Sequence, residues 1–317
     1  MTALQWLTQF LEVLAALAAA PLFVGWINQC RAWLQNKSAP SVLQPYRGIR
    51  KLFYKDAVLA IQASSLFRVA PYIVFGAMVS AAAVIPSVGT RLPFSNAADA
   101  IALVGLFAMA RVFISLAAMD VGTAFGSLGA RREMLVGFLA EPALLMVIFV
   151  ASLISASTAL PAISEGLATQ TLALYPSLAF TGVAFVLVLL AENARIPVDN
   201  PATHLELTMI HEALLLEYSA RHLALMEWAA ALKLFNYACI GFALFLPWGI
   251  ATGEAPNPLS LFAAIPLLAI KLALAGLALA LIETVSAKLR VFRAPEFLAT
   301  AFLLAVLGLL VHLLLGA

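Results

Sequence analysis

Residues 142–164 read PALLMVIFVASLISASTALPAIS, an uncharged apolar run bounded by Glu141 and Glu165. A helix needs about 20 such residues, at 1.5 Å of rise each, to cross the roughly 30 Å hydrocarbon core of a bilayer. This stretch is long enough to cross, and residues 69–90, 166–191, 234–253 and 297–317 carry no charge either. Composition agrees with these runs: of 317 residues, 64% are hydrophobic and 11% charged, where soluble domains hold ~45–50% apolar and ~25% charged residues. So little polar surface excludes water-soluble enzyme folds, nucleic-acid readers and disulfide scaffolds. The reading is an all-α integral membrane protein whose first partner is the lipid bilayer.

Hydropathy predicts a single membrane domain, 1–317, with about eight transmembrane helices, near 3–25, 69–88, 99–119, 136–159, 170–191, 229–250, 259–282 and 296–316. The first run lacks a basic n-region and is read as a retained span, not a cleaved leader. The odd-numbered connections carry Arg31, Lys37, Arg47, Arg50, Lys51, Lys55 and Arg68, then Arg131 and Arg132, then Arg195 and Arg221, then Lys288, Arg290 and Arg293. The even-numbered ones carry Arg91 alone. The positive-inside rule therefore puts the odd connections in the cytoplasm and both termini on the other side of the cell inner membrane. Cytoplasmic loops 1 and 5 are long, roughly 40 residues each, well beyond ordinary connections, which marks them for function or for structure of their own.

A net charge of +2 with no basic and aromatic interleaving speaks against nucleic acid. Cys30 and Cys239 have neither CxxC nor Cys/His spacing, so no metal or cluster is expected in this chain. No solenoid repeat and no matched pair of broken helices is visible, which disfavours an inverted-repeat transporter.

Each charge inside or beside a span needs a reason, because an Asp, Lys or Arg at a helix centre costs about 2.5–3.5 kcal/mol on insertion scales. Those here are Glu12, Arg111, Glu141, Glu192, Glu227, Lys233, Lys271 and Glu283. Arg111, Glu141 and Lys271 lie deep, where function outweighs a purely structural salt bridge. Glu192, Glu227, Lys233 and Glu283 lie near span ends, where snorkelling to the headgroups and function both remain open.

The segment after span five is the richest in polar groups. Pro197 and Pro201 forbid a helix running on from Glu192, and Asn200-Pro201 is a helix-start signal. The expectation is a helix restarting there and running toward Glu217 and beyond. If it is unbroken, His204, His211 and His222 fall within about 20° of one another, with Glu206 and Glu217 opposite. Their spacing does not suit a metal, so these histidines read as hydrogen-bonding or protonatable groups. The glutamates suit proton handling better than a catalytic pair, since no nucleophile accompanies them.

Residues 192–199, ENARIPVD, followed by Glu206-Leu207 and Glu217-Tyr218-Ser219, resemble the signature loop of the membrane-anchor subunit family of NADH-quinone oxidoreductase. That family includes the membrane subunits of formate hydrogenlyase, hydrogenase-4 and energy-converting NiFe hydrogenases. Residues 44–56, QPYRGIRKLFYKD, resemble its first cytoplasmic connection, and residues 127–133, SLGARRE, with Glu141 following, its third. The resemblance covers nearly the whole chain.

It implies a complex I-like subunit that anchors a peripheral electron-transfer arm and passes protons toward antiporter-like subunits. Glu141, Glu192, Asp199, Glu206 and Glu217 would form the acidic line, with His204 and His211 beside it. Arg195, Arg132, Arg47 and Arg50 would face the peripheral arm, and Arg111, Lys233, Lys271 and Glu283 would be the intramembrane charges. NiFe and iron–sulfur centres would belong to partners: hydrogenase-like large and small subunits and an iron–sulfur subunit. The respiratory form of this loop usually has two further glutamates where this chain has Ala202 and His204. Between Leu207 and Glu217 it also has fewer residues than the nine found here. These departures tilt the expectation toward the group 4 hydrogenase-type branch. A quinone-site subunit of a respiratory complex is the alternative, and a stand-alone ion carrier the third reading.

Overall fold

A computed structural model describes residues 3–90, 93–94, 99–169, 176–199, 209–251, 258–289 and 293–315. Eleven helices are present among them, and no strands beyond the isolated bridges Gly89–Ala251 and Asp99–Ala159. They are α1 (Ala3–Leu34), α2 (Gln44–Phe53), α3 (Ser65–Val84), α4 (Ala100–Asp120), α5 (Ala124–Ser155), α6 (Leu160–Thr169), α7 (Pro176–Glu192), α8 (His211–Leu215), α9 (Ala220–Phe245), α10 (Pro258–Val285) and α11 (Ala294–Leu314). Seven of these are long and apolar enough to cross a membrane, and α7 is a shorter apolar helix, so the chain is a multi-pass membrane protein of about eight spans.

The helices overrun the expected spans at the ends that carry caps. Ser64 caps α3 through the Leu66 amide, four residues before the expected start, and Thr123 caps α5 through the Gly126 amide. α5 thus begins twelve residues before the apolar run at 136 and carries Arg131, Arg132 and Glu133 as helix. Prolines interrupt several spans, and the carbonyl four residues before each loses its helical donor. Pro71 frees the Phe67 carbonyl, to which the Tyr218 hydroxyl donates at 3.0 Å. Pro21 frees the Leu17 carbonyl, to which the Trp228 indole donates at 3.0 Å.

α9 runs through the middle of the bundle and is buried along most of its length, against α3, α1, α2 and α7. α4, α5, α7 and α11 pack on one flank, and α10 lies along α1 on the other.

Connections on the same side touch one another. On the odd side, Ser64 N donates to Asp120 at 2.8 Å, Val58 N and O both pair with the Ser219 hydroxyl, and Leu289 N donates to the Pro197 carbonyl at 2.9 Å. On the even side, Ala100 N donates to Thr158 O at 3.2 Å and Ala251 N to Val88 O at 2.8 Å.

Loop 5 departs from the expected helix. No helix continues past Glu192, as the prolines require. The expected start at Asn200-Pro201 lies outside the described residues; among those described, the helix that follows is α8, and it ends before Glu217. Residues 216–219 turn, Ser219 is extended, and Ala220 has a left-handed φ of 49°, a conformation no right-handed helix passes through. His211 and His222 therefore sit on different helices, which removes the shared face. His204 and Glu206 lie outside the described residues, as does Ala202.

Candidate functional site

The deepest charges converge on Arg111 of α4. Its guanidinium bonds both carboxylate oxygens of Glu192, at the end of α7, and one of Glu141 on α5. Its Nε faces Glu133, also on α5, at 3.6 Å. Lys233 of α9 reaches the same Glu192 at 2.9 Å. Two cations thus meet three carboxylates, and Arg111 and Glu192 are almost wholly buried. Neither Glu192 nor Lys233 snorkels.

Helical spacing explains how this cluster assembles. Glu133, Gly137 and Glu141 are four residues apart and share one face of α5. A Cβ on Gly137 would collide with the guanidinium, so this glycine makes room for Arg111. Arg111 lies nine residues before the end of α4 and Glu133 nine residues into α5, which puts them level in the α4–α5 hairpin, about 14 Å from its turn. Glu133 is the member not singled out from the sequence, although its spacing from Glu141 could have indicated it. Glu141 is the least buried member, its side chain 31% exposed on the flank of α5.

A second centre lies at the odd side. Glu283 of α10, nearly buried, pairs with Arg195 of loop 5 at 3.1 Å and Arg31 of α1 at 3.5 Å. Asp199 is also buried and accepts the Ile210 and His211 amides at 3.3 and 3.1 Å, which fixes the start of α8. Arg132 donates to the Met209 carbonyl at 2.8 Å on the same short segment. Gly129 allows α8 to lie against α5, since a Cβ there would meet that of Ala213 at 2.7 Å. Lys288, on the connection after α10, has its ammonium pKa lowered by desolvation, with Asp199 opposing.

Between the two centres is a cavity of about 400 Å³ bordered by Arg31, Arg195, Asp199, His211, Glu192 and Lys233, with Glu212 and Glu227 also on its wall. A small cavity of about 40 Å³ lies across α9 from it, against Arg111, Glu133, His211 and Lys233. An apolar groove of about 720 Å³ between α7, α9 and α10 shares Leu234 with the larger cavity.

The other expected site residues fall elsewhere. Glu217, Arg47 and Arg50 are exposed on the odd side. Lys271 donates to the Leu246 and Trp248 carbonyls at 2.5 Å each, capping the far end of α9. Among the described residues no group of three or more His, Cys, Asp or Glu is placed to hold a metal, and Cys30 and Cys239 are free and buried. With its unequal count of carboxylates and cations, the Arg111 cluster has the chemistry to take up and pass a proton.

A family model described as NADH dehydrogenase matches residues 8–314. Formate hydrogenlyase subunit 4 of Escherichia coli is 32% identical over 292 residues, covering 92% of this chain and 94% of the relative. Hydrogenase-4 component C of Escherichia coli is 35% identical over 241 residues, covering 76% of this chain and 75% of the relative. A chain in the structure of the membrane-bound sulfane sulfur reductase, an archaeal respiratory membrane complex, superposes with a TM-score of 0.79 at 18% identity. That superposition covers 96% of this chain and 98% of the other.

Proposed function

The chain belongs to the NADH dehydrogenase family, in the branch of its formate hydrogenlyase and hydrogenase-4 relatives, and from that premise we propose that it anchors a complex I-like, hydrogenase-type assembly and conducts protons within it. The partners would be hydrogenase-like large and small subunits and an iron–sulfur subunit on the cytoplasmic face. These would carry the NiFe and iron–sulfur centres, with antiporter-like subunits alongside in the cell inner membrane. Both termini would face away from the cytoplasm, as the lysine and arginine bias requires.

The observation that carries this reading is the run of charge from Asp199 and Arg195, across the large cavity to Glu192 and Lys233, then to Arg111 and on to Glu141 at the flank of α5. Electron transfer in the peripheral arm would alter the charge balance beside Arg195, and the cluster would relay a proton outward to a neighbouring membrane subunit. Loops 1 and 5 are pinned together by Ser219 and Tyr218, so they offer the arm one preformed face that includes Arg47 and Arg50. His204 and Glu206 keep their proposed part in proton handling. The test is Glu141→Gln in the assembled complex in membrane vesicles. Proton translocation is expected to disappear while dye-linked hydrogenase activity persists, and normal translocation would remove Glu141 from the route.

The wall that Leu234 shares between the polar cavity and the apolar groove favours a second reading. In it the cavity receives a quinone head and the groove its tail. Quinone reduction by the same preparation, sensitive to quinone-site inhibitors, is its signature.

A further inference from the structure

α9 lies between two spaces, and on it Ala230 and the charged Lys233 border both. Met226, Ala229 and Lys233 face the small cavity beside Arg111, while Glu227, Ala231 and Leu234 face the large cavity; Lys233 also lines the large one. His211 borders both spaces from α8. Arg111 lines the small cavity, and its buried Nε has no hydrogen-bond partner among the described residues. Its nearest acceptor, a Glu133 carboxylate oxygen, stands at 3.6 Å, beyond a hydrogen bond. An unsatisfied buried donor costs about 1–3 kcal/mol, so such groups are nearly always bridged. The cavity volume of about 40 Å³ exceeds the ~10–15 Å³ that one water needs, and the walls supply the two to four polar partners that hold it.

We propose that this cavity is a water site in which ordered water links Arg111 Nε and the Lys233 ammonium to Glu133, and that Lys233 is the gate between it and the large cavity. The water accepts from Arg111 Nε and donates to Glu133. When Lys233 turns from Glu192 toward the water, the ammonium gives one proton to the water oxygen as the water releases another to the Glu133 carboxylate. One N–H bond is broken and one carboxyl O–H bond is formed, and the water is unchanged. The neutral amine is then reprotonated from the large cavity. Glu133 thereby joins the relay on the same face of α5 as Glu141, two turns away. This inference rests on the proton-conducting reading above.

The experiment is a high-resolution structure of the assembled complex in lipid nanodiscs, paired with proton translocation in vesicles for four variants. Water density within hydrogen-bond reach of Arg111 Nε and Glu133 is expected in the native complex. It should be lost in Ala229→Leu and in the milder Ala229→Val, and kept in Ala229→Ser. Translocation should fall about tenfold or more in the two filling variants and stay within twofold of native in Ala229→Ser. Lys233→Arg should lose translocation as fully as the filling variants while keeping the water density, because a guanidinium does not give up its proton. A dry cavity, a direct Arg111–Glu133 bond, or native translocation in a variant whose water is gone would each overturn the proposal. Failure of the broader reading looks different: Glu141→Gln would pump normally while the water density remained.

Discussion

Replacing Arg111 by Met tests whether the buried cluster acts as one unit. The guanidinium bonds Glu192 and Glu141 and faces Glu133, so its loss leaves three carboxylates with Lys233 as their remaining cation. A unit charge pair near 4 Å is worth about 4 kcal/mol at an effective dielectric of 20, and breaking a buried pair from one side typically costs about 3–5 kcal/mol. At about 2 °C per kcal/mol, the lower end of the range for mid-sized domains, this lowers the apparent Tm by roughly 6–10 °C. Glu192→Gln alone strands Arg111 and Lys233 less severely, since Glu141 and Glu133 remain. Combining the two changes removes a mutual partner, so the double variant should be more stable than the sum of the singles by about 1–3 kcal/mol. The assay is thermal unfolding of the detergent-solubilised protein near neutral pH, with all four members of the cycle at one salt concentration. Additivity within about 0.5 kcal/mol would show that Arg111 and Glu192 are energetically independent and would refute the single-cluster picture.

Tyr218→Phe keeps the ring stacked on Phe67, with centroids 4.0 Å apart, but removes the donor that satisfies the carbonyl freed by Pro71. It should cost about 0.5–1.5 kcal/mol, read as the same Tm measurement. Burial, reinforced by the Asp120 carboxylate, pushes the Tyr218 phenol above its ordinary value. A raised folded-state pKa contributes stability that is complete below about pH 10 and declines as pH rises past it, so the variant should lose less stability than native between about pH 10 and 11. Glu283→Gln weakens the tie between Arg195 and Arg31 that joins loop 5 to α1. Faster amide exchange over 193–199 is the expected outcome, with α9 unchanged; exchange identical to native would mean that Asp199 alone holds the loop.

What could be read from the sequence divides along a physical line. Spans were legible because burial in hydrocarbon is a property of local composition, whereas the proposed sidedness rests on the lysine and arginine bias of the connections alone. The break after Glu192 was legible because Pro197 acts on its own neighbours. The fate of Glu192, Lys233 and Glu283 was not, because it depends on partners far along the chain: Arg111 is 81 residues from Glu192, and Arg31 is 252 from Glu283. The unbroken helix through Glu217 failed for the same reason. Asp199 takes the first amides of α8, and Tyr218 is drawn to α3, so two long-range contacts divide a segment whose local signals are compatible with one helix.

The prolines show how such long-range pairing can still be sought from local rules. A proline inside a span removes the donor for the carbonyl four residues earlier, and in hydrocarbon no water replaces it. A donor from elsewhere is therefore required, and Tyr and Trp suit the task because each couples a large apolar body to one polar hydrogen. Here Pro71 and Pro21 are answered by Tyr218 and Trp228, one just before α9 and the other within it. Those two bonds fasten α9 to α3 and α1, the helices on its outer flank. With α9 fixed there, Lys233 is held where it can meet Glu192 between the two cavities. The prolines within α1 and α3 and the placement of the buried lysine are thus parts of one constraint.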